Sequence, residues 1–301
     1  MLRSMYSGIS GLKNFQTKLD VIGNNIANVN TFGFKKGRVV FKDMMSQNLS
    51  GASGPTGTRG GVNPKQVGLG SQMSTIDTIH TGGNLQTTNR VLDLGIAGDG
   101  FFQVGTSNAT HSNFSNIQYS RAGNFYMDKE GYLVNSDGMY IVGFSADPGV
   151  APTAINNASF NFPAGGTPTT TNPGVDYSPI KIPTDAKDMS IGKDGTVTYV
   201  DAAGVLKWAG KLVMAKFPNT GALEKTGSNS YRGNDNTGAA VLNFAGESGL
   251  GTTESGFLEM SNVDLSEEFT EMITAQRGFQ ANTRIITTSD EILQELVNLK
   301  R

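Results

Sequence analysis

Cysteine is absent from all 301 residues. Its absence removes disulfides, thiolate metal sites and cysteine nucleophiles together, and suits a chain that crosses between redox compartments. Histidine is nearly absent too. His80 and His111 stand alone, too few for a histidine zinc site or a catalytic triad without supporting motifs, and both read as exposed polar residues. Charge is scarce and balanced, with 17% charged residues and a formal net charge of −2. No basic field therefore exists to recruit nucleic acid or an anionic membrane surface. Long apolar runs are missing as well. No stretch of about 18 apolar residues occurs, and the opening MLRSMYSGISGLKNFQ has no continuous apolar core, so neither membrane insertion nor a cleaved signal peptide is expected.

Motifs for chemistry are equally sparse. Gly95-x-x-Gly98-x-Gly100 has neither dinucleotide-fingerprint spacing nor a following helix, and Gly192-Lys193 lacks the upstream Walker glycine, so both read as turns. No G-x-S-x-G elbow and no H-E-x-x-H occurs. Asp99, Asp128 and Glu130 do not follow the twelve-residue calcium loop and are also assigned to turns. Asn-x-Ser/Thr at Asn48, Asn108, Asn113 and Asn157 is ordinary output of an Asn- and Thr-rich chain. No catalytic, cofactor-binding or metal-binding residue is assigned, no cofactor is expected, and the chain reads as a non-enzyme. Its 26 carboxylates leave one enzymatic route open, a glycosidase-like acid pair assembled by folding. A secreted β-rich adhesin or carbohydrate-active enzyme is thus the alternative of another class.

What the sequence does contain is a contrast between its ends and its middle. Met5, Ile9, Leu12, Leu19, Ile22, Ile26 and Val29 recur at spacings of three, four or seven, predicting a helix from Met5 to Val29 with only Gln16 interrupting the stripe. Gly33, able to take positive φ, closes it before Val39-Val40-Phe41 turns to strand. Leu265, Phe269, Met272, Gln276, Phe279, Thr283, Ile286, Asp290, Leu293 and Val297 step by four and three at the other end. Asp264 reads as the N-cap there and Glu267 as its capping-box partner. Ile273, Ile285, Ile292, Leu296 and Leu299 widen the apolar face, so this helix has more than one side to bury. Neither helix can bury its stripe without another alongside, so the ends should pair with each other, with neighbouring copies, or with both.

Between the ends, residues 46–72 are Gly- and Ser-rich with little apolar content and read as a pliable connector. Alternating Leu92, Leu94 and Ile96, the run Phe101-Phe102-Gln103-Val104, and Thr196 to Val200 after Asp194-Gly195 predict strands. Asp128 to Gly131 reads as a hairpin turn between Phe125-Tyr126-Met127 and Tyr132-Leu133-Val134. Residues 146–179 hold six of the ten prolines and only Asp147 and Asp176 as charges, which marks a surface insertion. The predicted class is α+β: long N- and C-terminal helices packed as a coiled coil, with a mainly antiparallel β domain in the middle. Residues 1–30 and 264–301 would form the helical domain, 31–72 and 252–263 the connecting segment, and 73–251 the β domain. Asn24, Asn25, Asn28 and Asn30, clustered before Gly33, serve equally well as a helix terminus or as an intermolecular contact.

Ser7-Gly-Ile-Ser-Gly-Leu12, followed by Asp20-Val-Ile-Gly-Asn-Asn-Ile-Ala-Asn-Val-Asn-Thr-Phe-Gly-Phe-Lys-Lys36, resembles the N-terminal signature of bacterial flagellar rod and hook proteins. Gly98-Asp-Gly-Phe-Phe102, Tyr119-Ser-Arg-Ala-Gly-Asn-Phe125, Gly256 to Leu265 and Met272 to Phe279 resemble the same family. Within it, Ala275-Gln-Arg and the ending Asp290 to Leu299 look more like hook members than distal rod members. The resemblance implies a subunit of the extracellular flagellum that polymerises into a hollow flexible tube, a universal joint carrying motor torque, with a distal rod subunit as the alternative. It implies an inner helical layer and an outer β layer, export by the flagellar type III apparatus, and contacts with hook cap, distal rod and hook-filament junction proteins. It also implies an assembly interface at Met5, Ile9, Leu12, Leu19, Ile22, Ile26, Val29, Leu265, Phe269, Met272, Phe279, Ile286, Leu293 and Leu296, with Asn24, Asn25, Asn28, Asn30 and Gly33 as family signature. Where larger hook proteins carry a further outer domain, this chain has only the stretch 146–179.

Overall fold

In a computed structural model of the chain, the spaced apolar residues at each end form two long helices, α1 (Leu2–Ala27) and α2 (Leu265–Asn298). The structure describes residues 2–107, 114–146, 160–161, 169–170 and 175–299. α2 begins where Asp264 leaves helical geometry, its carboxylate accepting from the N–H groups of Ser266 at 2.8 Å and Glu267 at 3.4 Å. Glu267 joins this cap through its backbone, while its carboxylate takes Lys36 Nζ at 2.8 Å. α1 closes in a turn over residues 28–30, and Gly33 follows at φ +69°. A Cβ at Gly33 would stand 2.6 Å from Ala122 N, so glycine is required there on both steric and conformational grounds.

The chain forms two compact units. The first comprises Met1–Val29, Lys36–Ile79 and Val263–Arg301. It holds both helices and four strands, β1 (Gly37–Asp43), β2 (Ser46–Ser50), β3 (Lys65–Gly68) and β4 (Ser71–Thr78). β1 pairs antiparallel with β4 and β2 with β3, and bridges at Ser53–Val62 and Thr56–Arg59 carry the ladder outward. Where composition suggests a pliable connector over 46–72, the structure therefore has a long two-stranded ribbon. Every residue of β2 and β3 is exposed. Backbone N–H and C=O groups are satisfied across the ribbon, so it needs no apolar side chains to define its register.

The second unit comprises Asn30–Lys35 and His80–Asn262. Its main sheet runs Asp188–Ile191, Thr196–Val200, Leu206–Leu212, Tyr140–Ala146, Phe101–Ser107, Phe114–Ser120, Ser230–Arg232 and Glu224–Gly227 side by side. Every strand pairing among the described residues is antiparallel. Side chains alternate across this sheet, so adjacent Phe101 and Phe102 enter different cores. Phe102 joins Val104, Phe125, Leu133, Ile141 and Leu212, and Phe101 joins Ala215, Phe217, Leu223 and Tyr231. The hairpin read at Asp128 to Gly131 is present, with Leu133 opposite Met127 and Val134 opposite Tyr126.

Of the proline-rich stretch 146–179, residues 147–159, 162–168 and 171–174 lie outside the described residues, as do His111, Asn108, Asn113 and Asn157. The end of the stretch differs from an irregular insertion. Val175–Pro179 is a sheet strand paired with Val142 to Ala146. Among the described residues this strand pairs on one side only, and on such an edge the missing N–H of Pro179 is tolerated.

Candidate assembly interface

α1 and α2 run antiparallel. Gly8 faces Ile286, Gly11 faces Asn282, Phe15 faces Gly278, Lys18 pairs with Glu271 at 2.9 Å, and Asn25 meets Glu268. Contact is made by the absence of side chains. A Cβ on Gly278 would lie 2.6 Å from the Phe15 ring, and one on Gly11 would lie 2.9 Å from the Asn282 amide. Ala275 and Ser289 continue the small-residue face of α2, both buried. Each helical glycine costs about 1 kcal/mol relative to alanine, and close approach of the helices offsets that cost.

This pairing sorts the expected interface residues into two groups. Ile22 is buried, and Met5, Leu12, Leu19, Ile26, Val29, Met272, Ile286 and Leu293 are half-buried in the single chain. Ile9, Leu265, Phe269, Phe279 and Leu296 remain exposed, together with Ile273, Ile285, Ile292, Val297 and Leu299. Phe269 keeps 50% and Ile273 52% of its surface in solvent. Leu265, Phe269 and Ile273 step by four along the first half of α2, and Ile285, Ile292, Leu296 and Leu299 by seven, four and three along the second. Uncovered apolar side chains thus flank the paired face, on one side in the first half and on the other in the second, the kind of surface that marks an interaction site. No helix among the described residues is long and apolar enough to cross a membrane.

The asparagine cluster divides in the same way. Asn25, 1% exposed, exchanges two hydrogen bonds with the backbone of Gly37 and donates to Glu268 at 3.1 Å, tying α1 to β1 and α2. Burial pushes the Glu268 carboxyl up, an effect opposed by Asn25 and Lys36. Asn28 turns back onto the Asn24 carbonyl, whereas Asn24 and Asn30 stay exposed.

A second polar cluster, within the β unit, escapes any reading of the sequence. Glu259 is fully buried, with its carboxylate on Lys35 Nζ, Arg121 Nη1 at 3.0 Å and the Gly83 N–H at 3.0 Å. Its carbonyl takes the Gly33 N–H at 2.8 Å. Lys35 also donates to the Thr81 carbonyl. Burial pulls its pKa down while Glu259 holds it up. Two cations thus share one carboxylate in the protein interior.

Beside them His80 corrects the reading of an exposed histidine. Its ring lies edge-on to Phe101 and Tyr231, and both ring nitrogens are buried without a hydrogen-bond partner among the described residues. The Thr220 backbone faces the ring but falls short of hydrogen-bond geometry. Burial first, then the charges of Lys35, Arg121 and Lys225, pull its pKa from 6.5 to about 4. Between those two values the unfolded chain takes up a proton that the folded chain refuses. Stability is therefore complete above the higher value and falls as pH drops toward the lower one, by on the order of 2 kcal/mol. His80→Phe should flatten that part of the profile. Thermal midpoints at neutral pH and at mild acidity check this, and an equal acid loss in both proteins would remove His80 as the cause.

Comparison with known proteins matches the two ends and the middle of the chain separately. Residues 5–35 match the family described as flagella basal body rod protein. Residues 95–199 match the flagellar hook protein FlgE/F/G D1 domain, and 254–299 the C-terminal part of flagellar basal body rod FlgEFG proteins. The chain is 54% identical to the flagellar basal-body rod protein FlgG of Bacillus subtilis (strain 168), covering 100% of both chains. It is 33% identical to the flagellar hook protein FlgE of Borreliella burgdorferi, again covering 100% of both. With the flagellar basal-body rod protein FlgG of Agrobacterium fabrum it shares 33% identity over 97% of each chain. The chain belongs to the flagellar rod and hook axial protein family, structural proteins that polymerise within the basal body and hook.

Proposed function

We propose that the chain is a rod subunit of the flagellar basal body, polymerising through the uncovered apolar side chains of α2 into a shaft that carries torque. The observation behind this reading is the 54% identity to a rod protein over the whole of both chains. Length supports it as well. The hook relative from Borreliella burgdorferi aligns over 448 positions against the 301 of this chain. The hook expectation drawn from Ala275-Gln276-Arg277 and the ending at Leu299 rests on far fewer residues, and the support runs toward its alternative. Partners are then other copies of the chain, with hook and export components as further neighbours, and the site of action is the axial structure at the basal body.

Electron microscopy of polymers grown from the full-length chain tests the reading. Straight, stiff rods are expected, and curved, pliable tubes would return the assignment to the hook. The interface is tested separately by Ile273→Asp. This side chain is half exposed in the single chain, so the fold should change by less than about 0.5 kcal/mol. Assembly would bury the new carboxylate unpaired. A folded chain that no longer polymerises is expected, as read by circular dichroism and sedimentation; normal polymers would exclude this face.

A further inference from the structure

The two groups of uncovered apolar side chains on α2 look out in different directions. At about 100° per residue, Leu265, Phe269 and Ile273 lie roughly 150° around the helix from the group that begins with Ile285 and Ile292. α1 lies between them, against Gly278, Asn282 and Ile286, and covers neither. A two-fold pairing of copies would join one group to itself and leave the other bare. Copies that repeat head to tail bring the first group of one against the second group of the next, and a contact of that kind is open-ended.

Spacing within the groups sets how far one helix is displaced past the other. With parallel helices offset by about 20 residues, roughly 30 Å, Leu265 meets Ile285 and Ile273 meets Ile292. Phe269 then falls in the gap between Ile285 and Ile292, opposite Thr288. The Thr288 hydroxyl is turned back onto the Arg284 carbonyl, so a ring can cover it without stripping a hydrogen bond. Charge fits the same register. Arg277 and Glu295 follow Ile273 and Ile292 by about one turn, on the side of α2 away from α1. Both are exposed, and neither forms an ion pair among the described residues. The offset that aligns the apolar groups sets Arg277 of one copy beside Glu295 of the next.

We propose that the partner of each α2 is the α2 of a second copy, parallel and displaced by about 20 residues. Leu265, Phe269 and Ile273 dock on the side bearing Ile285 and Ile292, and Arg277 with Glu295 closes the rim. This contact rests on the reading of the chain as a polymerising subunit and is the step that repeats along the polymer.

The chain has no cysteine, so introduced thiols report single contacts. Full-length chains carrying Ile273→Cys or Ile292→Cys are polymerised as a mixture and oxidised with copper phenanthroline. Covalent dimers holding one of each are expected, and neither variant alone should cross-link. Arg277→Glu sets two carboxylates together and should raise the critical concentration for polymerisation about tenfold. Adding Glu295→Arg to the same chain should restore the wild-type value. Polymers that form normally yet join Ile273→Cys only to itself, or not at all, would overturn this contact and leave the polymer reading standing. A charge-exchanged chain that polymerises no better than Arg277→Glu would do the same. A wild-type chain that stays monomeric would overturn both.

Discussion

Glu259→Gln is expected to destabilise the β unit by roughly 3–5 kcal/mol, the cost of leaving buried charge without its counter-ion. Gln preserves shape and can still accept the Gly83 N–H, so the loss isolates charge from packing. Lys35 and Arg121, both essentially buried, would then face each other unneutralised. Lys35→Met should be milder. It removes the surplus cation and leaves Arg121 and Glu259 as a one-to-one pair, so the bonds to the Thr81 carbonyl and to Glu259 are lost, about 1 kcal/mol each, but no buried charge is left without a counter-ion. Trp208, the single tryptophan and 5% exposed within the β unit, reports unfolding directly. Denaturant midpoints followed by its fluorescence should rank wild type, Lys35→Met and Glu259→Gln in falling order. If Lys35→Met were the more damaging, the charge imbalance would not be what makes Glu259 necessary.

Gly278→Val should separate α1 from α2 and abolish polymerisation. The added atoms meet the Phe15 ring, whose edge already stands 2.6 Å from the position of a Cβ and whose far side leans on Phe41 with ring centres 6.2 Å apart. Overpacking of this kind typically costs about 1–3 kcal/mol. The damage should concentrate on the helices, because Asn282 against Gly11 and Ile286 against Gly8 depend on the same close approach. Loss of helical circular dichroism and absence of polymers by microscopy are the expected readouts. Phe15→Ala added to Gly278→Val vacates the contested space and should recover much of both. Without such recovery, the contact between these two positions would not explain the effect.

Both helices were legible because their signal is local: apolar residues at three and four, an Asp cap, a glycine past the first helix. Which face of α2 turns inward was not. Apolar periodicity weights large side chains, whereas the paired face is built from Gly278, Ala275, Ser289 and the polar Glu268, residues that a search for a stripe passes over. The signal that could have found it is Gly8 with Gly11 inside a helical pattern, glycines that need a packing reason. The β strands were legible from alternation, and the 46–68 ribbon was not, because backbone pairing between exposed polar strands leaves no side-chain pattern. Glu259 and Lys35 stand 224 residues apart, so neither carries a sign of the other. His80 looked exposed for a related reason. The rings that enclose it come from distant parts of the chain.

The strands Leu85–Thr87 and Leu94–Ala97 find their partners only at Phe257–Glu259 and Thr252–Ser255. α1, likewise, has α2 as its counterpart at the opposite terminus. Contacts between residues so far apart in sequence must first close a long loop, which slows folding and leaves early segments with no native partner. A chain delivered N-terminus first would hold its first helix and the strands Leu85–Thr87 and Leu94–Ala97 unsatisfied until its last fifth arrived. The helical pair and these two strand pairs would then close almost together, when the last fifth arrives.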